Sequence, residues 1–181
     1  MSMGRLIAVV GPSGVGKDTV MAGLLAACPA LTIAKRVITR AADAAGEDFA
    51  AVSEAAFGKA RDRGDFVLHW RAHGLFYGIP HKAVGRLAGG QDVLANLSRR
   101  VLAQAQAAFP GMEVLSLTAS DAVLAARLAG RGRETPADIT ARLARVTAGW
   151  PVGLMVHQVG NDGPVGDAVA AALAALYPDR T

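Results

Sequence analysis

The sequence is poor in cysteine, in aromatic residues and in long apolar runs, and each shortage excludes a class of protein. A single Cys among 181 residues excludes an internal disulfide framework, so we expect a reducing, cytoplasmic location. Aromatic residues make up 5% of the chain, and the cations between them are scattered. A nucleic-acid surface usually has basic stripes with interleaved aromatics, so no nucleic-acid partner is expected. No apolar run approaches the ~18 residues of a membrane span, so no membrane partner is expected either.

What is abundant indicates one folded domain with an arginine excess. Hydrophobic residues make up 52% of the chain and charged residues 19%, the reverse of a disordered composition. Of the 19 cations 15 are Arg, and the formal net charge is +4. A codon preference shared with the 38 Ala residues explains this bias, and from composition alone that explanation is favoured. The alternative is functional, because the planar guanidinium group suits phosphate oxygens.

Strands and helices are predicted to alternate along the chain, which favours βαβ units and a mainly parallel sheet with helices on both faces. The predicted strands are Arg5–Val10, Thr32–Thr39, Phe66–Trp70, Leu75–Tyr77, Asp92–Asn96, Val114–Thr118 and Leu154–Val159. The predicted helices are Asp18–Cys28, Ser53–Arg63, Ser98–Phe109, Ser120–Gly130, Thr135–Gly149 and Val165–Tyr177, and a loop is expected over Ala41–Phe49. Ligands of such sheets lie beyond the carboxyl ends of the strands, so the loops there are the candidate sites.

The loop after the first strand has the spacing of a Walker A phosphate loop, with a strand before it and a helix after it. Glycines let successive backbone N–H groups point at one phosphate, the helix adds its positive end, and Lys17 adds a mobile charge. The predicted ATP-binding residues are Gly11, Pro12, Ser13, Gly14, Val15, Gly16, Lys17, Asp18 and Thr19.

One position departs from the Walker A pattern, because Asp18 stands where Ser or Thr normally holds magnesium. A carboxylate ~4 Å from a phosphate costs roughly 4 kcal/mol per charge pair at an effective dielectric of 20, so a cation is needed between them. We therefore predict that Asp18 is a Mg²⁺ ligand, directly or through water, with Thr19 as a possible helper. The alternative is that Asp18 simply caps the helix.

A second group of arginines favours a kinase lid. The N-K-x-D base motif of a regulatory GTPase is absent, and no acidic run ends a strand as in an ATPase Walker B pattern. Arg127 and Arg131 share one helix face, Arg142 and Arg145 share the next, and a short Gly-containing segment joins the two. Such helices are expected to close over the phosphates during transfer. The alternative is a solvated helical pair.

In order and spacing, several segments resemble the guanylate kinase superfamily over nearly the whole chain. These segments are Gly11–Thr19, Arg36–Arg40, Gly46–Phe49, Phe66–Leu68, His73–Gly78, Arg127-Leu128 and Arg131-Gly132. The resemblance implies a single P-loop kinase domain over residues 1–181. Its expected form is a three-layer α/β/α fold with a mainly parallel five-stranded sheet. An acceptor-binding insertion is expected at about 36–90 and a helical lid at about 127–145.

The departures from guanylate kinases concern the groups that bind the base. The insertion's Glu that pairs with guanine is replaced by His69, the hydroxyl after Tyr-Gly is replaced by Ile79-Pro80, and Asp43 stands where a second arginine is usual. The phosphate-binding Arg40 and Tyr77 remain. An acceptor that carries phosphate but no guanine fits this pattern.

With these departures, the chain resembles the ribose 1,5-bisphosphate phosphokinase subgroup, which converts a sugar bisphosphate to 5-phosphoribosyl 1-diphosphate with ATP, usually in phosphonate breakdown. The resemblance implies ATP and Mg²⁺ held by Lys17 and Asp18, and acceptor phosphate held by Arg36, Arg40 and Tyr77. It also implies lid arginines at 127, 131 and 142, with Lys17, Arg131 and Arg142 as the catalytic set. Asn96 is expected either to bind a ribose hydroxyl or to serve in a cap or turn. The pair Asn161-Asp162 is expected either to flank adenine or to form a turn with Gly163.

Two other functions stay open at this stage. A nucleoside monophosphate kinase of the guanylate type is one alternative, with its base bound by unfamiliar contacts. A catalytically inactive guanylate-kinase-like binding module is the other, although such modules typically have an eroded phosphate loop and the loop Gly11–Lys17 is intact.

The lid hypothesis predicts that Arg131→Ala lowers kcat at least about tenfold with little change in the free energy of unfolding, because the guanidinium meets charge only during transfer. Steady-state kinetics with urea unfolding as the companion measurement tests this. A variant that keeps full kcat would remove Arg131 from the lid role.

Overall fold

Nine strands and five helices are present in the part of the chain that this computed structural model describes, residues 3–40, 49–130 and 149–178. The strands are β1 (Leu6–Val10), β2 (Thr32–Ile33), β3 (Arg36–Ile38), β4 (Phe49–Ala51), β5 (Phe66–Ala72), β6 (Leu75–Pro80), β7 (Val93–Asn96), β8 (Glu113–Thr118) and β9 (Met155–Gly160). The helices are α1 (Lys17–Ala27), α2 (Glu54–Asp62), α3 (Leu102–Ala108), α4 (Asp121–Gly130) and α5 (Val165–Leu176), with 3₁₀ segments at His81–Gly89 and Arg99–Val101.

The central sheet has five parallel strands, as predicted, and their order is β2-β7-β1-β8-β9. Strand β1 is buried along its whole length, which explains its uninterrupted apolar sequence. Ile7 and Val9 face helices α1, α4 and α5, while Leu6, Ala8 and Val10 face α3, the longer 3₁₀ segment and the second sheet. The result is the expected three-layer α/β/α arrangement. None of the helices in the described residues is both long and apolar enough to cross a membrane.

A second sheet of four strands, in the order β4-β3-β6-β5, lies within the predicted insertion. Strands β5 and β6 form a hairpin whose two turn residues, His73 and Gly74, both have positive φ (51° and 75°), as a type I′ turn requires. Helix α2 covers one face through Phe57, whose ring lies 4.7 Å from that of Phe66. Ser53 caps α2 as predicted, since its hydroxyl accepts from the N–H of Ala56.

The predicted strand Thr32–Thr39 is wrong, because the chain forms two strands there that belong to different sheets. Thr32 and Ile33 pair with β7, whereas Arg36–Ile38 pairs with β4 and β6. The crossing falls at Ala34-Lys35, where no Gly or Pro marks a change of element. Phe49, predicted to be in a loop, begins strand β4, and the 3₁₀ segment His81–Gly89 was not predicted. Residues 135–148 of the predicted helix Thr135–Gly149, the loop residues 41–48, and Arg131 and Arg142 lie outside the described residues.

A charged cluster joins four strands of the central sheet at their amino ends, opposite the phosphate loop. We call it the Arg5 cluster; it comprises Arg5, Asp92, Glu113, His157 and Tyr177. The Arg5 guanidinium donates to Asp92 (2.8 Å) and Glu113 (2.6 Å), Tyr177 donates to Asp92 (2.8 Å), and His157 Nε2 lies 2.7 Å from Glu113. Burial opposes ionisation of Asp92, but the hydrogen bonds from Arg5 and Tyr177 outweigh it and hold the pKa of this carboxyl below its usual value.

We expect Asp92→Asn to lower the free energy of unfolding by about 2–3 kcal/mol at pH 7, because it weakens hydrogen bonds to a carboxylate whose side chain is only 15% exposed. The pKa of Asp92 is lower in the folded chain than in the unfolded one. Its contribution is therefore present above about pH 4 and is lost as the pH falls through the folded-state pKa. Urea unfolding of both proteins across pH 2–7 should show the difference shrinking in acid.

The matched control is Asp62→Asn, which removes an exposed carboxylate paired with Arg61 and should change the free energy of unfolding by less than about 0.5 kcal/mol. A difference between Asp92→Asn and the unsubstituted protein that stays constant down to pH 2 would contradict the assigned pKa direction.

Candidate active site

The phosphate loop lies at the carboxyl end of the central sheet, between the end of β1 at Val10 and the start of α1 at Lys17. Gly14 and Gly16 adopt positive φ (84° and 91°), which side chains disfavour. A Cβ on Gly16 would also lie 2.8 Å from Asn161 Nδ2. The loop therefore needs glycine at position 16 for two reasons, its own backbone and the close approach of Asn161.

The middle of the loop is held by a side chain from the far end of the sequence. Val15 is fully buried, and its carbonyl oxygen accepts from Asn161 Nδ2 at 2.7 Å and from the Arg127 guanidinium at 3.4 Å. Asn161 follows strand β9 and is 4% exposed, and its Oδ1 has no hydrogen-bond partner within the described residues. Because parallel strands end at one edge, Asn161 and the loop meet there although they are far apart in sequence.

Lys17 lies across the loop that precedes it. Its ammonium group donates to the carbonyl oxygens of Gly11 (2.9 Å) and Pro12 (3.2 Å). Pro12 and Ser13 are exposed at the tip of the loop, and Thr19 is exposed on the first turn of α1. This geometry concentrates positive charge and N–H donors at one point, which suits the phosphates of a nucleotide.

Asp18 connects the phosphate loop to the neighbouring strand. Helix α1 is capped by Gly16 with no side-chain hydrogen bond, so Asp18 belongs to the first turn and is not the cap. Its Oδ1 accepts from Asn96 Nδ2 at 3.1 Å, and Asn96 ends β7, the strand paired with β1. The backbone carbonyl of Asn96 in turn accepts from the buried guanidinium of Arg36 at 3.1 Å. These contacts connect the start of α1, beside the phosphate loop, to the second sheet.

Two stacked aromatic rings of the second sheet lie beside Arg36. The rings of Trp70 and Tyr77 stack 5.3 Å apart at 8°, and the Arg36 guanidinium lies 5.3 Å from the centre of the Tyr77 ring. The structure thus brings the predicted Arg36 and Tyr77 together. Arg40 lies two residues beyond the end of β3 and is half-buried.

His69 does not share the face that carries Tyr77. In the β5–β6 pairing His69 lies opposite Gly78, and Trp70 lies opposite Tyr77, so successive residues alternate between the two faces. Leu68 and Trp70 are on the Tyr77 face, and Leu68 is fully buried, while His69 is exposed on the other face. The side chain at position 69, where guanylate kinases have Glu, therefore faces away from Arg36 and Tyr77.

A cavity of about 310 Å³ adjoins the phosphate loop on the side away from the second sheet. It is lined by Gly14, Gly16, Thr19, Arg127, Asn161, Gly163 and Val165. Beside it Asp162 accepts from the backbone N–H of Ser120 at 2.7 Å, and this bond, with the Ser120 hydroxyl and the charge of Arg127, holds the pKa of Asp162 below its usual value.

Sequence reasoning also missed a contact of Arg99, close in sequence to Asn96. The guanidinium of Arg99, three residues after Asn96, lies 3.9 Å from the centre of the Trp150 ring, and burial lowers its pKa. Trp150 packs against the core beside α3, and Gln106 donates to the carbonyl of Val152. Trp150 is one of two Trp in the chain and follows the predicted lid, and this position was the feature of the sequence that could have indicated the contact.

The geometry is that of a P-loop kinase. A glycine-rich loop with its lysine faces a second, arginine- and tyrosine-bearing sheet, so two phosphate-bearing molecules can be held end to end at the carboxyl edge of the sheet.

Comparison with known proteins gives the family. The chain is 52% identical to a ribose 1,5-bisphosphate phosphokinase PhnN of Ruegeria sp. (strain TM1040), over 98% of this chain and 94% of that protein. It is 46% identical to a protein of the same name from Pseudomonas fluorescens (strain SBW25), over 96% and 95% of the two chains. The chain belongs to the ribose 1,5-bisphosphate phosphokinase family. No family model matches it.

Among solved structures, a guanylate kinase from Anaplasma phagocytophilum superposes with a TM-score of 0.74, over 99% of this chain and 88% of that one. The two sequences are 18% identical, so this likeness concerns the fold alone. The expected guanylate kinase-like fold is thereby confirmed.

We expect Asn161→Ala to lower the free energy of unfolding by about 1–3 kcal/mol, because the buried Val15 carbonyl loses its shorter hydrogen bond. The loop then loses its support, and affinity for ATP should fall about tenfold. Urea unfolding and isothermal titration with ATP measure the two effects. Gln158→Ala, on the exposed part of β9, is the matched control and should change neither. If stability falls and ATP affinity does not, the Asn161 amide does not support nucleotide binding.

Proposed function

We propose that this protein transfers the γ phosphate of ATP to the C1 phosphate of ribose 1,5-bisphosphate, giving 5-phosphoribosyl 1-diphosphate and ADP. The observation that carries the proposal is the 52% identity to a ribose 1,5-bisphosphate phosphokinase along nearly the whole of both chains. The intact phosphate loop and the arginine and tyrosine on the facing sheet support it, because a phosphate-to-phosphate transfer needs cations on both sides.

The donor nucleotide belongs on the loop and in the adjoining cavity. The N–H groups of the loop and Lys17 hold the β and γ phosphates, and Lys17 leaves the loop carbonyls to do so. The nucleoside occupies the cavity beside Arg127 and Asn161, with Asp162 at its edge. Thr19 lines the same cavity and contacts the nucleotide from the start of α1.

Magnesium is the expected partner of the phosphates, and Asp18 is the residue that fits it. Asp18 is exposed at the start of α1, where its carboxylate would repel the phosphates without a cation. The described residues hold no group of three or more His, Cys, Asp and Glu that could bind a metal by themselves. One carboxylate with phosphate oxygens and waters is a usual Mg²⁺ environment. When bound, the ion neutralises charge on the β and γ phosphates.

The acceptor lies on the second sheet and is recognised as a phosphate ester. Tyr77 and Arg40 bind its phosphate, and Arg36, packed on Tyr77, adds positive charge behind it. Leu68 and Ile79, on the same face, are fully buried in the core and do not contact the acceptor. The preference for a sugar phosphate over guanosine monophosphate rests on the identity to a ribose 1,5-bisphosphate phosphokinase.

The transfer needs no general base. An oxygen of the C1 phosphate is already anionic, and it forms the new bond to the γ phosphorus while the bond from that phosphorus to the bridging oxygen of ADP breaks. The protein supplies position and positive charge. Arg127, beside the loop, is the described member of the lid set, and Arg131 and Arg142 complete it in this proposal.

The proposal predicts turnover with one acceptor in a panel. The purified protein, with ATP and Mg²⁺, is incubated separately with ribose 1,5-bisphosphate, GMP, AMP and dTMP, and ADP release is followed with a coupled assay. Ribose 1,5-bisphosphate should give ADP in equal amount to 5-phosphoribosyl 1-diphosphate, identified by mass spectrometry. Lys17→Met is the control for a contaminating kinase and should lower the rate at least about 100-fold.

Other outcomes assign other functions. Turnover with GMP alone would establish the guanylate-type alternative and overturn the proposal. An absence of turnover with all four acceptors, while ATP still binds, would favour the binding module.

A further inference from the structure

The contact between Asp18 and Asn96 brings together the two positions that hold magnesium in P-loop nucleotide-binding proteins. One position follows the loop lysine, and there a Ser or Thr hydroxyl is usual. The other ends a strand beside the first strand, and there an aspartate is usual. Here Asp18 follows Lys17, and Asn96 ends β7, paired with β1 in the register Val9 with Asn96. Their side chains are 3.1 Å apart.

The unusual residues at positions 18 and 96 offset each other in charge. The helix position has gained a carboxylate, and the strand position carries an amide in place of one. The pair as a whole therefore keeps a single negative charge. Either departure alone would change the charge facing the phosphates by one unit, and two carboxylates at this separation would repel each other.

The amide also fits the carboxylate chemically. Asn96 Nδ2 donates to Asp18 Oδ1, which an aspartate at position 96 could not do when ionised. Asn96 is itself fixed, because it is 8% exposed and its backbone carbonyl accepts from the buried guanidinium of Arg36. The amide thus holds the exposed Asp18 carboxylate in one orientation.

We propose that Asp18 and Asn96 form an exchanged magnesium site, in which Asp18 supplies the single carboxylate and Asn96 is the positioning residue that orients it. This inference rests on the proposed use of a magnesium nucleotide and assigns to Asn96 a role other than contact with ribose. Asn96 also accepts a hydrogen bond from Arg36 through its backbone carbonyl. One residue therefore contacts both the proposed magnesium ligand and the arginine proposed to serve the acceptor.

A reciprocal exchange of the two residues tests the proposal. Four proteins are compared: the unsubstituted chain, Asp18→Ser, Asn96→Asp and the double variant. Mn²⁺ affinity is measured by electron paramagnetic resonance in complex with the β,γ-imido analogue of ATP, and affinity for the metal-free analogue is measured by titration in EDTA. Urea unfolding checks each fold, and Asp18→Asn replaces Asp18→Ser if the serine variant is unstable. Asp62→Ser, which removes an exposed carboxylate from α2, is the charge control.

We expect Asp18→Ser to weaken Mn²⁺ binding at least about tenfold, because no carboxylate remains at either position. Asn96→Asp alone should weaken binding of the metal-free analogue about tenfold, because two carboxylates then face the phosphates. The double variant should recover Mn²⁺ affinity to within about threefold of the unsubstituted chain, a recovery that independent effects would not give. Asp62→Ser should match the unsubstituted chain.

A double variant that binds Mn²⁺ as weakly as Asp18→Ser, or an Asp18→Ser variant with unchanged affinity, would overturn the exchanged site. These measurements contain no acceptor. A failure of ribose 1,5-bisphosphate to react therefore rejects the proposed reaction without affecting them, and a failed exchange leaves the acceptor result as it stands.

Discussion

The pairing of β1 with parallel neighbours on both sides is the constraint on which the site depends. Because β7, β8 and β9 run in the same direction as β1, the residues after each strand meet at one edge. Asn96 beside Asp18, and Asn161 beside Val15, are the direct result. The phosphate loop is consequently supported from both sides by amides that are distant in sequence, and neither support belongs to the loop motif itself.

Charge balance explains the choice of residues around that edge. The substrates proposed for this chain carry several negative charges, so carboxylates near them would require a cation or a hydrogen-bond donor. Asp18 has the Asn96 amide, and Asp162 is held by Ser120 beside Arg127. In the second sheet Arg36 is buried against the ring of Tyr77, which places a positive charge next to the stacked aromatic rings. Part of the arginine excess therefore lies in the candidate site, at Arg36 and Arg127. Arg61, by contrast, is paired with Asp62 at the surface.

The fold and the phosphate loop were predictable because their signals are local: a buried apolar strand, a glycine pattern and helix caps such as Ser53 are all read within a few residues. The split between β2 and β3 was not predictable, because no Gly or Pro marks the point at which the chain changes sheets. The contact of Asp18 with Asn96 could not be predicted either, because it depends on which strands are neighbours in the sheet. The face of His69 depends on register, and the irregularity between Phe66 and Leu68 makes that register hard to infer.

The Arg5 cluster has a consequence for how this protein can change. Strand β1 has five residues, so about 16 Å separates the cluster from the phosphate loop. That distance exceeds the roughly 7–10 Å beyond which substitutions without shared partners usually have independent effects. Substitutions at the two ends of the strand should therefore combine additively. Acid tolerance and substrate choice are thus separable properties in this chain, and each is open to selection or engineering without loss of the other.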